Sequence, residues 1–161
     1  MDEKLPKRKP TRLPDYDYTT PAAYFITICT KGKRKILSTI VGEGLCALPS
    51  IRLTDIGNMV DESIKQIEKL YSNVMIDTYV IMPNHIHMLL NIRAGGDGTP
   101  PLRVYDIIGR LKSYTTYKYG QPLWQRSFWD HVIRNRADYD EIYKYIEENP
   151  AKWTADKFYE E

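Results

Sequence analysis

Apolar residues along the chain follow two spacings, the alternate positions of β-strands and the three-and-four-residue repeat of amphipathic helices. Segments rich in β-branched and aromatic residues predict four strands, at 23–30, 74–82, 85–92 and 127–134. Apolar residues at helical spacing predict three helices, from Leu53 to Tyr71, from Val104 to about Tyr119, and from Tyr139 to near Asn149 and Pro150. The segments 31–50 and 93–101 predict loops, the first with a small hairpin as the alternative.

The order of these elements predicts the fold class. Strand, helix, strand, strand, helix, strand is the order of a ferredoxin-like sheet, also found in RNA-recognition motifs, in which two helices cover one face of an antiparallel sheet. A further helix follows the last strand, and the other face of the sheet is expected to be open. The length of 161 residues suits one core, so the chain predicts a single α+β domain over residues 1–161.

Positive charge is concentrated in two stretches, although the net charge is only +2. Residues 1–14 combine lysine and arginine with proline, which predicts a basic extended N-terminal arm. Residues 103–136 interleave cations with aromatic residues, a pattern that suits single-stranded nucleic acid, although charges on a solvated helix face are the alternative. The candidate DNA-binding residues are Lys7, Arg8, Lys9, Arg12, Arg103, Arg110, Lys112, Lys118, Arg126, Arg134 and Arg136.

Composition also bounds the location of the protein. The two cysteines, Cys29 and Cys46, do not form a paired framework, and no apolar stretch approaches the roughly 20 residues that cross a bilayer. The chain does not open with a basic segment followed by an apolar one, as a signal peptide would. We therefore expect a cytoplasmic protein with no membrane partner.

The motif MPNHIHML places two of the chain's three histidines one residue apart. Along a strand, His85 and His87 share one face while Ile86 and Met88 share the other. The apolar row must pack on the helices, which leaves the histidines on the opposite face, roughly 6 to 7 Å apart at Cα. Two imidazoles at that separation can ligate one divalent ion, and a structural pair of half-buried histidines is the alternative.

Two polar residues of the last helix are candidates to complete such a site. Tyr145 and Asn149 lie one turn apart on the flank of the apolar stripe, and an amide oxygen is a suitable ligand for Mg²⁺ or Mn²⁺. A tyrosine beside a metal suits transesterification of a phosphodiester, because the phosphotyrosine conserves bond energy for rejoining. A structural boundary tyrosine is the alternative, since the chain has 13 tyrosines. No glycine-rich nucleotide-phosphate loop accompanies these residues.

Three motifs together resemble a known family. MPNHIHMLL resembles the histidine-hydrophobic-histidine (HUH) motif, LWQRSFWDHVIRN resembles the block before the terminal helix, and YIEENPAKW resembles the helix that carries the nucleophile. The chain is thus similar to the single-tyrosine HUH transposases and, among them, to the REP-associated tyrosine transposases. The opening RLPDYDYTTPAAYFITICT also resembles bacterial members of that branch.

The resemblance implies a ferredoxin-like catalytic domain that cleaves and rejoins single-stranded DNA, often folded as a hairpin, through a 5′-phosphotyrosine and a free 3′-hydroxyl. By motif position it implies Tyr145 as the nucleophile and His85 and His87 as metal ligands. Asn149 matches the third ligand, which is usually glutamine in mobile insertion-sequence relatives. The resemblance also implies Mg²⁺ or Mn²⁺ as the cofactor, hairpin-forming DNA repeats as the partner, a monomer or homodimer, and a bacterial cytoplasm with association to the nucleoid.

The residues alone are also compatible with other functions. A non-catalytic single-strand or hairpin binding module would use the sheet face and form no covalent adduct with DNA. A small metal-dependent hydrolase would release its product without an adduct. The alternative nucleophiles are Tyr114, Tyr117 and Tyr119.

The third histidine and the tryptophans are expected to be structural. His131 alternates with apolar residues in the last predicted strand, which predicts a histidine packed among them. Trp124, Trp129 and Trp153 are expected to be core or helix-docking residues rather than stacking platforms for bases.

Overall fold

The computed structural model describes residues 12–42, 48–95 and 102–159. Within these ranges the strands are β1 Ala22–Cys29, β2 Ser38–Val41, β3 Ser50–Leu53, β4 Val74–Ile81, β5 His85–Ile92 and β6 Trp129–Val132. The α-helices are α1 Asp55–Leu70, α2 Val104–Tyr119 and α3 Arg136–Glu148, and 3-10 helices cover Lys31–Lys33 and Asn149–Ala155. Each predicted strand and helix is confirmed, and the small hairpin is the correct alternative for 31–50. Cys46, residues 1–11 of the predicted arm and residues 96–101 of the predicted loop lie outside the described residues.

Four strands form one antiparallel sheet in the order β4-β5-β1-β6, and β2 pairs with β3 separately. Among the strands of the four-stranded sheet, α1 lies between β1 and β4 in the chain and α2 lies between β5 and β6. In the sheet a third strand separates the two strands of each pair, as in ferredoxin-like folds. β1 pairs with β5 along its whole length, from Ala22 opposite Ile92 to Cys29 opposite His85. The predicted fold class is confirmed.

One face of this sheet packs on α1 and α2 and forms the hydrophobic core. The alternation predicted for β5 is confirmed, because Ile86, Met88, Leu90 and Ile92 are all buried in this core. Burying one large aliphatic side chain contributes roughly 1.5 to 3 kcal/mol, so this row anchors the sheet to the helices. The helix residues that meet it are Val60, Ile64, Ile67, Val104, Ile107, Ile108 and Leu111.

The opposite face was expected to be open, and that expectation is wrong. α3 packs against β4 and β5, and the Thr78 hydroxyl donates to the Glu147 carboxylate at 3.0 Å. The segment after α3 then continues over β5, where the Trp153 and Phe158 rings lie 6.0 and 4.5 Å from the His85 ring. This face has its own apolar and aromatic side chains, which a third layer can bury.

The surface that α3 buries is rotated from the stripe that its sequence suggests. Tyr143 belongs to the apolar stripe, yet it is 38% exposed. Ile146 and Asn149 are buried against the sheet, and Tyr145 is half-buried beside them. The flank that carries Tyr145 and Asn149 is therefore the face that meets the histidines.

Side chains at the helix starts fix where α1 and α3 begin. Thr54 Oγ1 accepts a hydrogen bond from the Gly57 N–H at 3.0 Å, so Thr54 is the N-cap of α1. Asn135 Oδ1 accepts from the Asp138 N–H at 2.9 Å at the start of α3. None of the helices in the described part of the chain has the length and apolar character needed to span a membrane.

Gly57 marks a close approach between α1 and the backbone at Leu37. A Cβ atom at position 57 would lie 1.9 Å from the Leu37 carbonyl oxygen. That oxygen also accepts hydrogen bonds from the Thr54 N–H and hydroxyl, both at 3.0 Å, so it is held in place. We expect Gly57→Ala to lower the free energy of unfolding by about 2 to 3 kcal/mol, measured by urea denaturation.

Gly109→Ala is the matched control for this prediction. Gly109 is exposed on α2, and nothing lies within 4 Å of the position of an added Cβ. The substitution should raise the free energy of unfolding by roughly 0.5 to 1 kcal/mol, because alanine favours the helix over glycine. Equal effects of the two substitutions would contradict the steric explanation.

Candidate active site

Two histidines at the start of β5 meet at their outer ring nitrogens. His85 and His87 are 0% and 1% exposed, and their Nε2 atoms lie 3.1 Å apart. Strand alternation puts both rings on the face covered by α3 and the segment after it. The predicted proximity is confirmed, although burial of the pair is more complete than the sequence suggested.

Polar partners hold the other ring nitrogen of each histidine. His85 Nδ1 lies 2.8 Å from Asn84 Oδ1, and His87 Nδ1 lies 2.8 Å from Thr27 Oγ1. Asn84 Nδ2 donates to the Phe158 carbonyl at 2.8 Å, which turns Asn84 Oδ1 towards the histidine. Because an amide oxygen can only accept, His85 Nδ1 carries the ring proton and the lone pair is on Nε2, which faces His87 Nε2. Such outer partners orient metal-binding imidazoles in many proteins.

Burial keeps both imidazoles in the neutral form. Loss of solvation is the main cause that lowers the pKa of His85, against the opposing charge of Asp156. Loss of solvation also lowers the pKa of His87 well below its usual value, and positive charge on His85, when protonated, and on Lys157 acts in the same direction. The neutral imidazole is the form that binds metal ions, so the site is ready to ligate at neutral pH.

Asn149 and Asp156 contribute oxygen atoms from the C-terminal side. Asn149 is buried and its Nδ2 donates to Asp156 Oδ2 at 3.1 Å, while its Oδ1 has no hydrogen-bond partner among the described residues. An unpaired buried polar atom costs roughly 1 to 3 kcal/mol, which favours an electropositive ligand at this position. Asp156 Oδ2 lies 4.0 Å from His85 Nε2, and ligand atoms of His85, His87 and Asp156 lie within 4.8 Å of one another. This donor set of imidazole, amide and carboxylate fits a divalent cation.

Tyr145 lies directly against this group. Its Oη is 3.4 Å from His87 Nε2, and its ring centroid lies 5.2 Å from the His87 ring and 6.0 Å from the Phe25 ring. Burial and then the negative charge of Asp156 raise the phenol pKa, and a hydrogen bond with Asn149 opposes them. The phenol is therefore protonated at neutral pH and needs a nearby positive charge to become a strong nucleophile.

The structure adds three residues that the sequence interpretation missed. Asn84 stands next to His85 in the histidine motif, so its position was a usable signal. Thr27 reaches His87 only through the β1–β5 register, which the sequence does not specify. Asp156 follows the 3-10 helix, and only the path of that segment brings it to the histidines.

Most of the candidate DNA-binding residues lie away from this group. Lys7, Arg8 and Lys9 are outside the described residues. α2 packs on the core face, so the cations on or beside it lie across the sheet from the histidines: Arg103, Arg110, Lys112 and Lys118. Arg126, Arg134 and Arg136 are exposed around β6 and the start of α3.

Several of these cations already have partners within the protein. The Lys112 ammonium donates to the carbonyl oxygens of residues 125, 126 and 127, at 2.7, 3.0 and 3.3 Å. Arg103 forms an ion pair with Asp106 at 2.9 Å, and Arg12 lies 4.0 Å above the Tyr105 ring. The three carbonyl contacts indicate that Lys112 supports the loop before β6.

Two structural expectations for β6 are wrong. His131 is not packed among apolar neighbours, because its half-exposed ring lies 2.9 Å from the Asp138 carboxylate at the start of α3. Trp129 is 53% exposed rather than a core residue. The short strand at the sheet edge leaves both side chains at the margin of the covered face. Trp124 and Trp153 are buried at 7% exposure, as expected.

Comparison with known proteins identifies a family and several relatives of this chain. The family described as "Transposase IS200 like" matches residues 19–149. An uncharacterized protein of Haemophilus influenzae is 32% identical over 94% of this chain and 93% of its own length. A REP-associated tyrosine transposase of Escherichia coli K12 is 33% identical over 48% of this chain and 44% of its own length.

A solved structure shares the fold. The structure of a REP-associated tyrosine transposase bound to a REP hairpin aligns with a TM-score of 0.61 and 23% identity, over 82% of this chain and 68% of that one. At this identity the similarity supports the arrangement of strands and helices.

Proposed function

The chain belongs to the IS200-like transposase family, and from this premise we propose that it cleaves and rejoins single strands of DNA through a covalent bond to Tyr145. The observation that carries the proposal is the contact of Tyr145 Oη with His87 Nε2 at 3.4 Å. It joins a phenol nucleophile to a pair of neutral imidazoles and the oxygen atoms of Asn149 and Asp156. This combination of residues suits attack on a phosphodiester better than it suits simple binding of a strand.

In the proposed reaction Tyr145 Oη attacks a phosphorus atom of the strand. A bond forms between the tyrosine oxygen and phosphorus, and the bond to the 3′-oxygen breaks. The phenol loses a proton and the 3′-oxygen gains one, so the products are a 5′-phosphotyrosine and a free 3′-hydroxyl. Attack of a 3′-hydroxyl on the phosphotyrosine reverses these changes and rejoins a strand.

His85, His87, Asn149 and Asp156 are the residues that would hold a divalent cation, Mg²⁺ or Mn²⁺. When bound, such an ion supplies positive charge that stabilises the phosphate and favours the phenolate. Thr27 and Asn84 orient the two imidazoles, and Phe25 supports the tyrosine ring. The chain's own contribution is therefore a fixed nucleophile beside a fixed set of ligand atoms.

Hairpin-forming DNA is the substrate that we propose. A relative with the same fold is described as bound to a REP hairpin. A paired stem with an adjoining single strand would place phosphates at the tyrosine while the stem contacts exposed cations elsewhere, such as Arg126 and Arg134. The protein would act in the bacterial cytoplasm on chromosomal repeats, as a monomer or a homodimer.

A denaturing gel tests the proposal directly. The protein is incubated with labelled hairpin DNA that carries a single-stranded extension, with Mn²⁺ and with Mg²⁺. A labelled band at the mass of protein plus DNA, removed by protease, is the expected result. Cleaved DNA without that band would favour a hydrolase, and salt-sensitive binding without cleavage would favour a binding module.

Thr27→Val tests the outer partner of His87. Valine has nearly the shape of threonine, but it cannot pair with His87 Nδ1, which lies 2.8 Å from the hydroxyl. We expect Mn²⁺ affinity to fall about 10- to 100-fold, as is typical when such a partner is removed. Isothermal titration calorimetry measures the affinity. Thr78→Val is the control, because Thr78 lies on the same face but bonds to Glu147, and equal losses would contradict the assignment.

A further inference from the structure

Trp129 has an environment unlike that of the other two tryptophans. Its side chain is 53% exposed, whereas Trp124 and Trp153 are each 7% exposed. Trp124 Nε1 donates to Thr115 Oγ1 at 2.7 Å, and the Trp153 ring packs beside His85. Trp129 is therefore the tryptophan of this chain whose ring is available to a ligand.

The register of the sheet places Trp129 in the same cross-strand row as the candidate active site. Trp129 lies opposite Thr27, and Thr27 lies opposite His87. Residues that face each other across antiparallel strands share one side of the sheet, and adjacent strands are about 4.8 Å apart. The Trp129 backbone is thus roughly 10 Å from that of His87, on the side where Tyr145 lies.

The layer that covers this face stops before it reaches Trp129. α3 starts at the far end of β6, where Asp138 meets His131, and crosses to β4, where Glu147 meets Thr78. The first residue of β6 is left outside this path. Phe25, two residues from Thr27 along β1 and opposite His131, contacts the Tyr145 ring, so Tyr145 lies on the side of the sheet that carries Trp129.

We propose that the Trp129 indole is a stacking platform for an unpaired nucleobase of the strand that Tyr145 attacks, which rests on the function proposed above. An exposed indole offers a large flat surface, and stacking tolerates any base because every base has a π-face. The row from Trp129 to His87 places such a base close to the attacked phosphate. The platform would hold the strand without reading its sequence through hydrogen bonds.

Binding of a short single-stranded oligonucleotide tests the platform. Affinity is measured by fluorescence anisotropy in EDTA, so that no strand is cleaved. We expect Trp129→Leu to weaken binding about 5- to 100-fold, the range found when a stacking side chain is lost. Trp129→Phe should retain most of the affinity. Circular dichroism verifies that both variants are folded.

Tyr117→Leu is the matched control, because Tyr117 is 81% exposed and lies on α2, across the sheet from the histidines. It should leave the affinity unchanged, and equal weakening by Tyr117→Leu and Trp129→Leu would overturn a local platform. Crosslinking of a 5-bromouracil oligonucleotide to the peptide that contains Trp129 is the expected direct sign of contact. Crosslinks confined to other peptides would overturn the proposal.

The same samples separate this proposal from the proposed function. A covalent adduct in the unchanged protein, together with unaltered binding by Trp129→Leu, would overturn the platform and leave the function standing. Weakened binding by Trp129→Leu without any adduct in the unchanged protein would support a platform in a binding module. Sedimentation then measures the oligomeric state. Loss of a dimer in Trp129→Leu with unaltered DNA affinity would assign the indole to an interface between copies, and this result would overturn the proposal.

Discussion

Tyr145→Phe is expected to abolish the covalent protein–DNA band while leaving the fold and DNA binding intact. Phenylalanine keeps the ring contacts with Phe25 and His87 and removes only the oxygen atom that would attack phosphorus. Loss of a nucleophile lowers turnover by on the order of 10⁴-fold or more, which takes the reaction below detection on a gel. The measurement is the labelled band after incubation with hairpin DNA and Mn²⁺.

Tyr143→Phe is the control for this substitution. Tyr143 is on the same helix but is 38% exposed and packs against Tyr139, so the band should form at its normal rate. A band that persists in Tyr145→Phe would assign the nucleophile to another tyrosine. The alternatives Tyr114, Tyr117 and Tyr119 are on α2, across the sheet from the histidines, and their position makes them poorer partners for the same cation.

His87→Leu is expected to slow the reaction strongly and to remove the response of the protein to Mn²⁺. Leucine fills much of the imidazole volume and offers no ligand atom, so the nitrogen that lies 3.1 Å from His85 Nε2 and 3.4 Å from Tyr145 Oη is lost. A bound cation supplies several kcal/mol to such a reaction, and we expect the adduct to form about 10²- to 10³-fold more slowly. The rate of band formation measures this loss.

Thermal unfolding separates loss of the ligand from loss of the fold. Mn²⁺ at about 100 times its dissociation constant would stabilise the unchanged protein by about 2.7 kcal/mol, and it should leave His87→Leu unaffected. His131→Leu is the matched control, because His131 pairs with Asp138 outside the site and its loss should leave the Mn²⁺ response intact. A full Mn²⁺ response in His87→Leu would show that the cation binds elsewhere.

Local pattern was sufficient to predict the sheet and the two helices on its core face. The alternation of Ile86, Met88, Leu90 and Ile92 with the histidines fixed which side of β5 meets the helices. The spacing in α1 and α2 identified the surfaces that they bury. These features depend on residues close together in the chain, and this is why one sequence suffices for them.

Features that depend on contacts between distant parts of the chain could not be predicted from the sequence. The covering of the histidine face depends on how α3 and residues 149–159 return over β5, and no spacing encodes that path. Asp156 becomes a candidate ligand only through this return. The surroundings of Lys112 were not predicted either, because the three carbonyl oxygens that its ammonium contacts come from residues 125–127, in the loop before β6.

The segment that follows β6 in the chain completes the candidate site. β1 and β5 supply Thr27 and the histidines early, but Tyr145, Asn149 and Asp156 follow every strand of the sheet. Because synthesis runs from the N-terminus and domains fold as units, a nascent chain has no assembled candidate site until the segment after β6 docks. The order of the elements thus delays assembly of the candidate site until the segment after β6 has been translated.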